Sequence, residues 1–133
     1  MKILLDTHIW IWNLSGSEAL PSRFREILNN EENEIWLSPI SVWETIVLAE
    51  KGRIELKPNP VSWVRRALEK DDIKEAPINI EVAVRSRELD LPHQDPADRF
   101  LAATAIIYGL ELATVDRVLL KTDWLPTISY LEP

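Results

Sequence analysis

The sequence predicts an α/β fold with three layers, α/β/α, around a central parallel sheet. Short apolar stretches rich in β-forming residues alternate with longer stretches of helical periodicity, a pattern typical of βαβ units. The chain has no internal repeat, low-complexity segment or long linker. Its 133 residues, 46% of them hydrophobic, suffice for one core. We therefore expect a single domain spanning residues 1–133.

Five short apolar stretches are the candidate strands. They lie at residues 2–5, 34–38, 76–79, 110–114 and 127–131. Parallel strands that are covered on both faces are expected to be nearly continuously apolar, as the first of these is.

Five longer stretches between them predict helices. They are SRFREILNN (22–30), ISVWETIVLAEKG (40–52), PVSWVRRALEK (60–70), IEVAVRSREL (80–89), whose valines suit a strand equally well, and DPADRFLAATAIIYG (95–109). In the second, Ser41 and Glu44 have the spacing of a capping box and Gly52 could end the helix. The fifth is apolar almost all round, which predicts a central helix that ends at Gly109.

Composition excludes several classes of site. The chain has no cysteine and two histidines, so disulfides and thiolate sites are impossible and a histidine-rich zinc site is disfavoured. Glycines at positions 16, 52 and 109 alone cannot form a glycine-rich phosphate loop. A net charge of −7 argues against broad adhesion to nucleic acid, although bound cations could supply positive charge locally.

The first residues, MKILLDTHIW, do not have the pattern of a signal peptide. No apolar stretch approaches the roughly 20 residues that a membrane span requires. We therefore expect a cytoplasmic protein.

Acidic residues near predicted helix starts have two explanations each. Asp95 as N-cap, Pro96 at the first helical position and Asp98 at the third make an ordinary helix start, and the helix dipole favours an acid there. Glu44 could likewise only close the capping box with Ser41. Taken singly, these local explanations are the stronger ones.

Two further aspartates directly follow predicted strands. Asp6 ends a strand that should be buried on both faces, where a carboxylate is costly, and Asp116 follows LELAT. Each could simply cap the next helix. However, strand ends and the following helix starts share one edge of a parallel sheet, where such folds bind ligands.

If the strands at 2–5, 34–38 and 110–114 are neighbours, Asp6, Glu44, Asp98 and Asp116 meet in one crevice. Carboxylates so close would repel one another unless a cation lay among them, and oxygen ligands favour Mg²⁺ or Mn²⁺. Thr7 and Thr114 could orient the carboxylates, or could be ordinary strand-end threonines.

Four blocks in order, LLDTHIWIW, SPISVWE, DPADRFLAATA and LATVD, resemble the PIN domains of VapC-type toxins. The resemblance covers essentially the whole chain. It implies a PIN-like fold in which an acidic cluster binds Mg²⁺ or Mn²⁺ and cleaves RNA. The implied ligands are Asp6, Glu44, Asp98 and Asp116, while Asp95 remains a cap.

The same resemblance implies partners. A small VapB-like antitoxin would cover the nuclease face with its C-terminal segment, and the toxin would form a homodimer. Hydrolysis would need no nucleophilic side chain, which agrees with the absence of a catalytic cysteine or serine triad.

Other residues near these motifs have weaker functional interpretations. Arg99, Arg117 and Lys121 could hold the RNA backbone or could be solvated surface cations. His8 and His93 are candidate general bases, but a lone histidine beside a motif is more often structural. Core packing is the default for the tryptophans, with a partner groove as the alternative; they include Trp10, Trp12, Trp36 and Trp43.

Alternative functions remain at this point. A phosphatase of the haloacid dehalogenase type needs an acid two positions after its nucleophile, and His8 stands there. A non-catalytic PIN-fold binding module would have no need of all four acids. A PIN nuclease with another role in RNA processing would share every motif with a toxin.

Overall fold

The computed structural model describes residues 1–70, 72–92 and 94–130. Strands and helices alternate along most of the chain. In chain order they are β1 (Lys2–Leu5), α1 (Thr7–Ser15), α2 (Ser22–Asn29), β2 (Glu34–Leu37), α3 (Pro39–Glu50), α4 (Pro60–Lys70), β3 (Ile73–Glu75), α5 (Ile80–Glu88), α6 (Pro96–Tyr108), β4 (Glu111–Ala113), α7 (Arg117–Leu120) and β5 (Thr127–Ile128).

The five strands form one parallel sheet in the order β3-β2-β1-β4-β5. The central strand β1 pairs Leu4 with Trp36 of β2 and Leu5 with Ala113 of β4. The expectation that these three strands are neighbours is therefore confirmed. Their carboxyl ends lie side by side, at the edge where Asp6 and Asp116 follow β1 and β4.

Alternate residues of β1 enter hydrophobic cores on opposite faces of the sheet. Ile3 and Leu5 pack with Trp10 and Phe24 on one face. Leu4 packs on the other face with a cluster that includes Leu101 of α6. The predicted three-layer α/β/α architecture is confirmed. No helix in the described part of the chain is long and apolar enough to cross a membrane.

Helix α6 begins and ends as the sequence predicts. The Asp95 carboxylate caps it by accepting hydrogen bonds from the backbone N–H groups of Ala97 and Asp98. Pro96 takes the first helical position, and Gly109 ends the helix with φ of 65°, a left-handed conformation that glycine adopts without strain. The helix is central, because its small residues are fully buried; they include Ala102, Ala103 and Ala105.

The prediction of a third strand at 76–79 is wrong. The strand is β3, just before that stretch, and it is an edge strand that pairs with β2. The Lys74 ammonium lies 5.7 Å from the ring centroid of Trp36 and 3.2 Å from Glu34. The following residues lead into α5, whose N-cap is Asn79.

The other strand predictions were close. The second strand stops at Leu37, and the fourth is one residue shorter at each end. The last strand covers 127–128, while Leu131 of the predicted stretch lies outside the described residues.

The predicted capping box in the second helical stretch (40–52) is also wrong. The N-cap of α3 is Ser38, whose hydroxyl accepts from the Ile40 N–H at 3.1 Å, and Pro39 is the first helical residue. Ser41 therefore lies inside the helix, where it is buried. Glu44 lies in the second turn, so the helix start does not explain it.

Candidate active site: an acid-lined cavity

A cavity of about 380 Å³ opens at the carboxyl edge of β1 and β4. We call it the acid cavity. Among the described residues, five carboxylates and three other side chains line it; they are Asp6, His8, Trp12, Glu44, Asp95, Asp98, Val115 and Asp116. All four acids singled out in the sequence thus line one cavity, although they come from four separate segments.

Asp6 is fixed through both of its carboxylate oxygens. Its Oδ1 accepts from the Thr7 backbone N–H at 2.7 Å, which caps α1. Its Oδ2 accepts from the Thr114 hydroxyl at 2.6 Å. The Thr114 oxygen also accepts from the Asp116 N–H at 3.0 Å. Thr114 therefore joins the ends of β1 and β4 and orients Asp6.

Capping and lining the cavity are compatible roles. Asp116 caps α7 through Oδ1, which accepts from the N–H groups of Val118 at 2.9 Å and Leu119 at 3.1 Å. Asp95 also uses its Oδ1 for both cap bonds. Each cap thus occupies one oxygen of a carboxylate that also faces the cavity.

Glu44 reaches the same cavity from α3 and has no capping bond to explain it. Thr7 lies beneath it, and the Thr7 hydroxyl donates to the Ser41 oxygen at 3.0 Å in a buried contact. This pair ties the start of α1, beside Asp6, to the turn of α3 that carries Glu44.

The environment favours the neutral forms of two of these acids. Burial raises the pKa of Asp6, and the Asp116 charge raises it further, against the opposing effects of the Thr114 and Thr7 hydrogen bonds and of His8. Burial also raises the pKa of Glu44, helped by Asp95 and Asp6 and opposed by Thr7 and His8. Mutual repulsion among carboxylates is the condition that a bound cation relieves.

The donor chemistry suits a hard divalent cation. The lining offers carboxylate oxygens and no sulfur, which fits Mg²⁺ or Mn²⁺. As the side chains stand, no three acidic or histidine residues among those described are grouped closely enough to enclose an ion. The carboxylates would therefore have to move inward to share one.

Arg99 does not occupy the position expected of an RNA-binding residue. It is 5% exposed, and its guanidinium donates to three carbonyl oxygens around the end of α5. The acceptors are Ser86 at 2.8 Å, Leu91 at 2.9 Å and Leu89 at 2.7 Å. We call this arrangement the arginine socket. A buried guanidinium that donates to three carbonyl oxygens is not accessible to an RNA phosphate. The expectation that Arg99 holds the RNA backbone is corrected.

The remaining cations and histidines are distributed around the site. Arg117 and Lys121 are exposed and do not line the acid cavity. His8 is exposed and does line it. His93 lies outside the described residues.

The tryptophans divide between core and surface. Trp10 is fully buried and Trp36 is partly buried, as expected. Trp43 is 59% exposed, so core packing is wrong for it. Trp12 lies partly in the core and partly on the acid cavity. The sequence held one signal for the contact of Trp12 with the cavity. Trp12 follows His8 by four residues on α1, so the two side chains share one face of that helix.

A larger cavity of about 510 Å³ lies where β2 and β3 begin. Its polar lining includes asparagines whose side-chain amides form hydrogen bonds within the local loop. Asn30 Oδ1 accepts from the Glu32 N–H, and Asn33 Nδ2 donates to the Ile27 carbonyl oxygen. None of the four acids singled out in the sequence lines this cavity, whereas all four line the acid cavity. The smaller cavity is therefore the better candidate for chemistry.

The sequence matches a known protein family and a known ribonuclease over most of its length. Residues 3–125 match the family model of the PIN domain. The chain belongs to the PIN-domain family. It is 32% identical over 118 residues to Ribonuclease VapC22 of Mycobacterium tuberculosis, an alignment that covers 86% of this chain and 87% of that protein. The resemblance of the four sequence blocks to VapC-type PIN domains is confirmed.

Several solved structures superpose along almost the whole chain. VapBC2 from Rickettsia felis, bound to a DNA fragment from its promoter, gives a TM-score of 0.71 at 18% identity, covering 96% of this chain and 98% of that one. A toxin–antitoxin complex from Klebsiella pneumoniae gives 0.64 at 25% identity, with 98% and 99% covered.

Proposed function

We propose that the protein is a Mg²⁺- or Mn²⁺-dependent endoribonuclease and the toxin of a toxin–antitoxin pair. One observation carries the proposal: Asp6, Glu44, Asp98 and Asp116 come from distant segments and line one cavity at the carboxyl edge of the sheet. The 32% identical relative is named a ribonuclease. We further propose that residues 1–133 form one cytoplasmic PIN domain.

The four acids would hold the cation, with Asp6 positioned by Thr114. When bound, a divalent cation supplies positive charge for activating water and for stabilising the departing oxygen of a phosphodiester. The caps and Thr114 orient Asp116 and Asp6 at the cavity, and the carboxylates would move inward from there to share the cation. Burial and the neighbouring Asp95 and Asp6 raise the pKa of Glu44, and the positive charge of a bound cation would favour its ionised form.

The experiment is cleavage of total RNA by the purified protein with Mg²⁺, with Mn²⁺ and with EDTA. Asp6→Asn and Asp98→Asn should each lower the rate by about 100-fold or more, because a charged ligand is lost while the shape is kept. The matched control is Asp95→Asn. Asparagine caps helices as well as aspartate does, and this variant should keep most of the activity.

Three results would each contradict a part of the proposal. Cleavage that persists in EDTA at the full rate would show that the reaction does not depend on a divalent cation. A folded wild-type protein that binds Mn²⁺ but cuts no RNA would favour a non-catalytic PIN-fold binding module. Cleavage confined to one precursor RNA would favour a nuclease of RNA processing over a toxin.

The proposed partners are a VapB-like antitoxin and a second copy of the chain. Solved relatives of this fold include toxin–antitoxin complexes. Co-expression with the neighbouring antitoxin gene should give one complex in which RNA cleavage is suppressed. Separate elution of the two proteins on size-exclusion chromatography would contradict this proposal.

A further inference from the structure

Two aromatic side chains stand beside the five carboxylates of the acid cavity. His8 and Trp12 lie one turn apart on α1, and both line the cavity. Their ring centroids are 5.7 Å apart and the rings are inclined at 51°. His8 is exposed, whereas Trp12 rests partly on the core. The pair thus forms a solvent-accessible aromatic surface at the site.

Apart from the cation proposed above, the described lining of the cavity offers an RNA phosphate no lysine or arginine to bind. Among the described residues, the lining contains five carboxylates and no lysine or arginine. An RNA phosphate entering it is repelled by these acids before a cation compensates them, and the net charge of −7 adds to the effect. Contacts to uncharged parts of the nucleotide must therefore contribute to holding the substrate. The other side chains that the structure describes in the lining are His8, Trp12 and Val115.

We propose that His8 and Trp12 form a stacking platform for an unpaired nucleobase next to the scissile phosphate. This inference rests on the proposed ribonuclease function. Nucleobases stack on aromatic side chains whatever their sequence, and this is how proteins commonly hold single-stranded RNA. The two rings already contact each other at a distance usual for aromatic pairs. The base therefore stacks on the outer face of the pair and is not inserted between the rings.

The platform defines a substrate class. A base can reach it only when it is free of its own stack and pair, so the enzyme cuts single strands, loops or bulges in preference to duplex. Binding should also depend weakly on salt, because few phosphates are neutralised by lysine or arginine at the site.

The experiment compares variants of the full-length enzyme on a short single-stranded oligonucleotide that the wild type cleaves. His8→Ala and Trp12→Leu should raise KM by about 5- to 150-fold, the factor that corresponds to stacking of one base, with kcat nearly unchanged. His8→Phe and Trp12→Phe keep an aromatic face and should stay near the wild type. Trp124→Leu is the matched control, since Trp124 is 38% exposed and does not line the acid cavity.

The substrate supplies a second test. Abasic nucleotides placed one at a time around the cleavage site should identify one position where the wild-type KM rises. On that abasic oligonucleotide, Trp12→Leu should match the wild type, because the contact is already gone. His8→Ala keeps the test decisive even if Trp12→Leu unfolds, because His8 is exposed.

Each failure has a distinct meaning. If the variants raise KM equally on intact and abasic substrates, the platform is overturned and Trp12 only packs. If His8→Ala and His8→Phe both lower kcat with KM unchanged, His8 acts in proton transfer and the platform is overturned. If wild type and variants cut duplex and single strands equally well, the platform fails while the nuclease stands. If the wild type cuts no RNA, both proposals fall.

Discussion

Asp98 and Arg99 are neighbours in the first turn of α6, yet they belong to regions that bury charge in opposite ways. Asp98 lines the acid cavity among like charges, where burial and neighbouring carboxylates raise the pKa of Asp6 and Glu44. Arg99 enters the arginine socket, where three carbonyl oxygens accept from its guanidinium. These carbonyls surround the C-terminal end of α5, which carries the negative end of the helix dipole.

This difference indicates that the arginine socket contributes to stability, whereas the acid cavity is arranged for function. In the socket three carbonyl oxygens compensate the buried positive charge, so the Arg99 side chain holds α5 against α6. In the cavity the charges oppose one another, which weakens the fold locally and leaves the site ready for a cation. Active sites commonly have this cost.

The largest effect should come from emptying the socket. Arg99→Met keeps the aliphatic stem but leaves three carbonyls without their donor, so the free energy of unfolding should fall by about 3 kcal/mol. Urea unfolding measures it. Arg117→Met, at an exposed arginine, should change stability by less than about 0.5 kcal/mol. At a temperature where Arg99→Met is folded, it should still cleave RNA. Equal stability of the two variants would refute the contrast.

An intermediate effect is expected at Thr114, whose hydroxyl orients Asp6 at the acid cavity. Thr114→Val removes the donor to Asp6 Oδ2 and the acceptor of the Asp116 N–H, and the rate of RNA cleavage should fall by about 10- to 100-fold. Thr114→Ser keeps the hydroxyl and should remain close to wild type. A valine variant with the full rate would show that Asp6 needs no such support.

The smallest effect should be a gain in stability at Glu44. Because the folded state holds the Glu44 proton more tightly than the unfolded chain does, ionisation weakens the native state as pH rises from about 4 through the raised pKa. Glu44→Gln should therefore have a higher Tm than the wild type at neutral pH in EDTA. The advantage should vanish below about pH 4, where both proteins are uncharged at this position. A lower Tm of the variant at neutral pH would contradict the predicted repulsion.

Local signals in the sequence were sufficient to predict much of the fold. They were also sufficient to predict that the four acids meet at one edge of the sheet. The boundaries of α6 depend on Asp95, Pro96 and Gly109, whose effects act within one turn. The start of α3 had such a signal too, because Pro39 favours the first helical position and makes Ser38 the cap. The S-x-x-E spacing of Ser41 and Glu44 was the misleading competitor.

Properties that depend on distant contacts were not predictable in this way. The strand β3 is short and polar, and pairing with β2 selects it over the more apolar residues that follow. Arg99 looked like a surface cation because the sequence does not say that the end of α5 lies against this side of α6. The second role of Trp12 likewise depends on where α1 meets the other segments of the cavity.

The sheet order has a consequence for when the acid cavity first exists. The innermost strand, β1, is made first, but one of its two neighbours is β4, more than a hundred residues later at Glu111–Ala113. Asp6 meets Thr114 and Asp116 only after that strand has docked. A nascent chain on the ribosome therefore carries an incomplete acid cavity until β4 has been synthesised and has paired with β1.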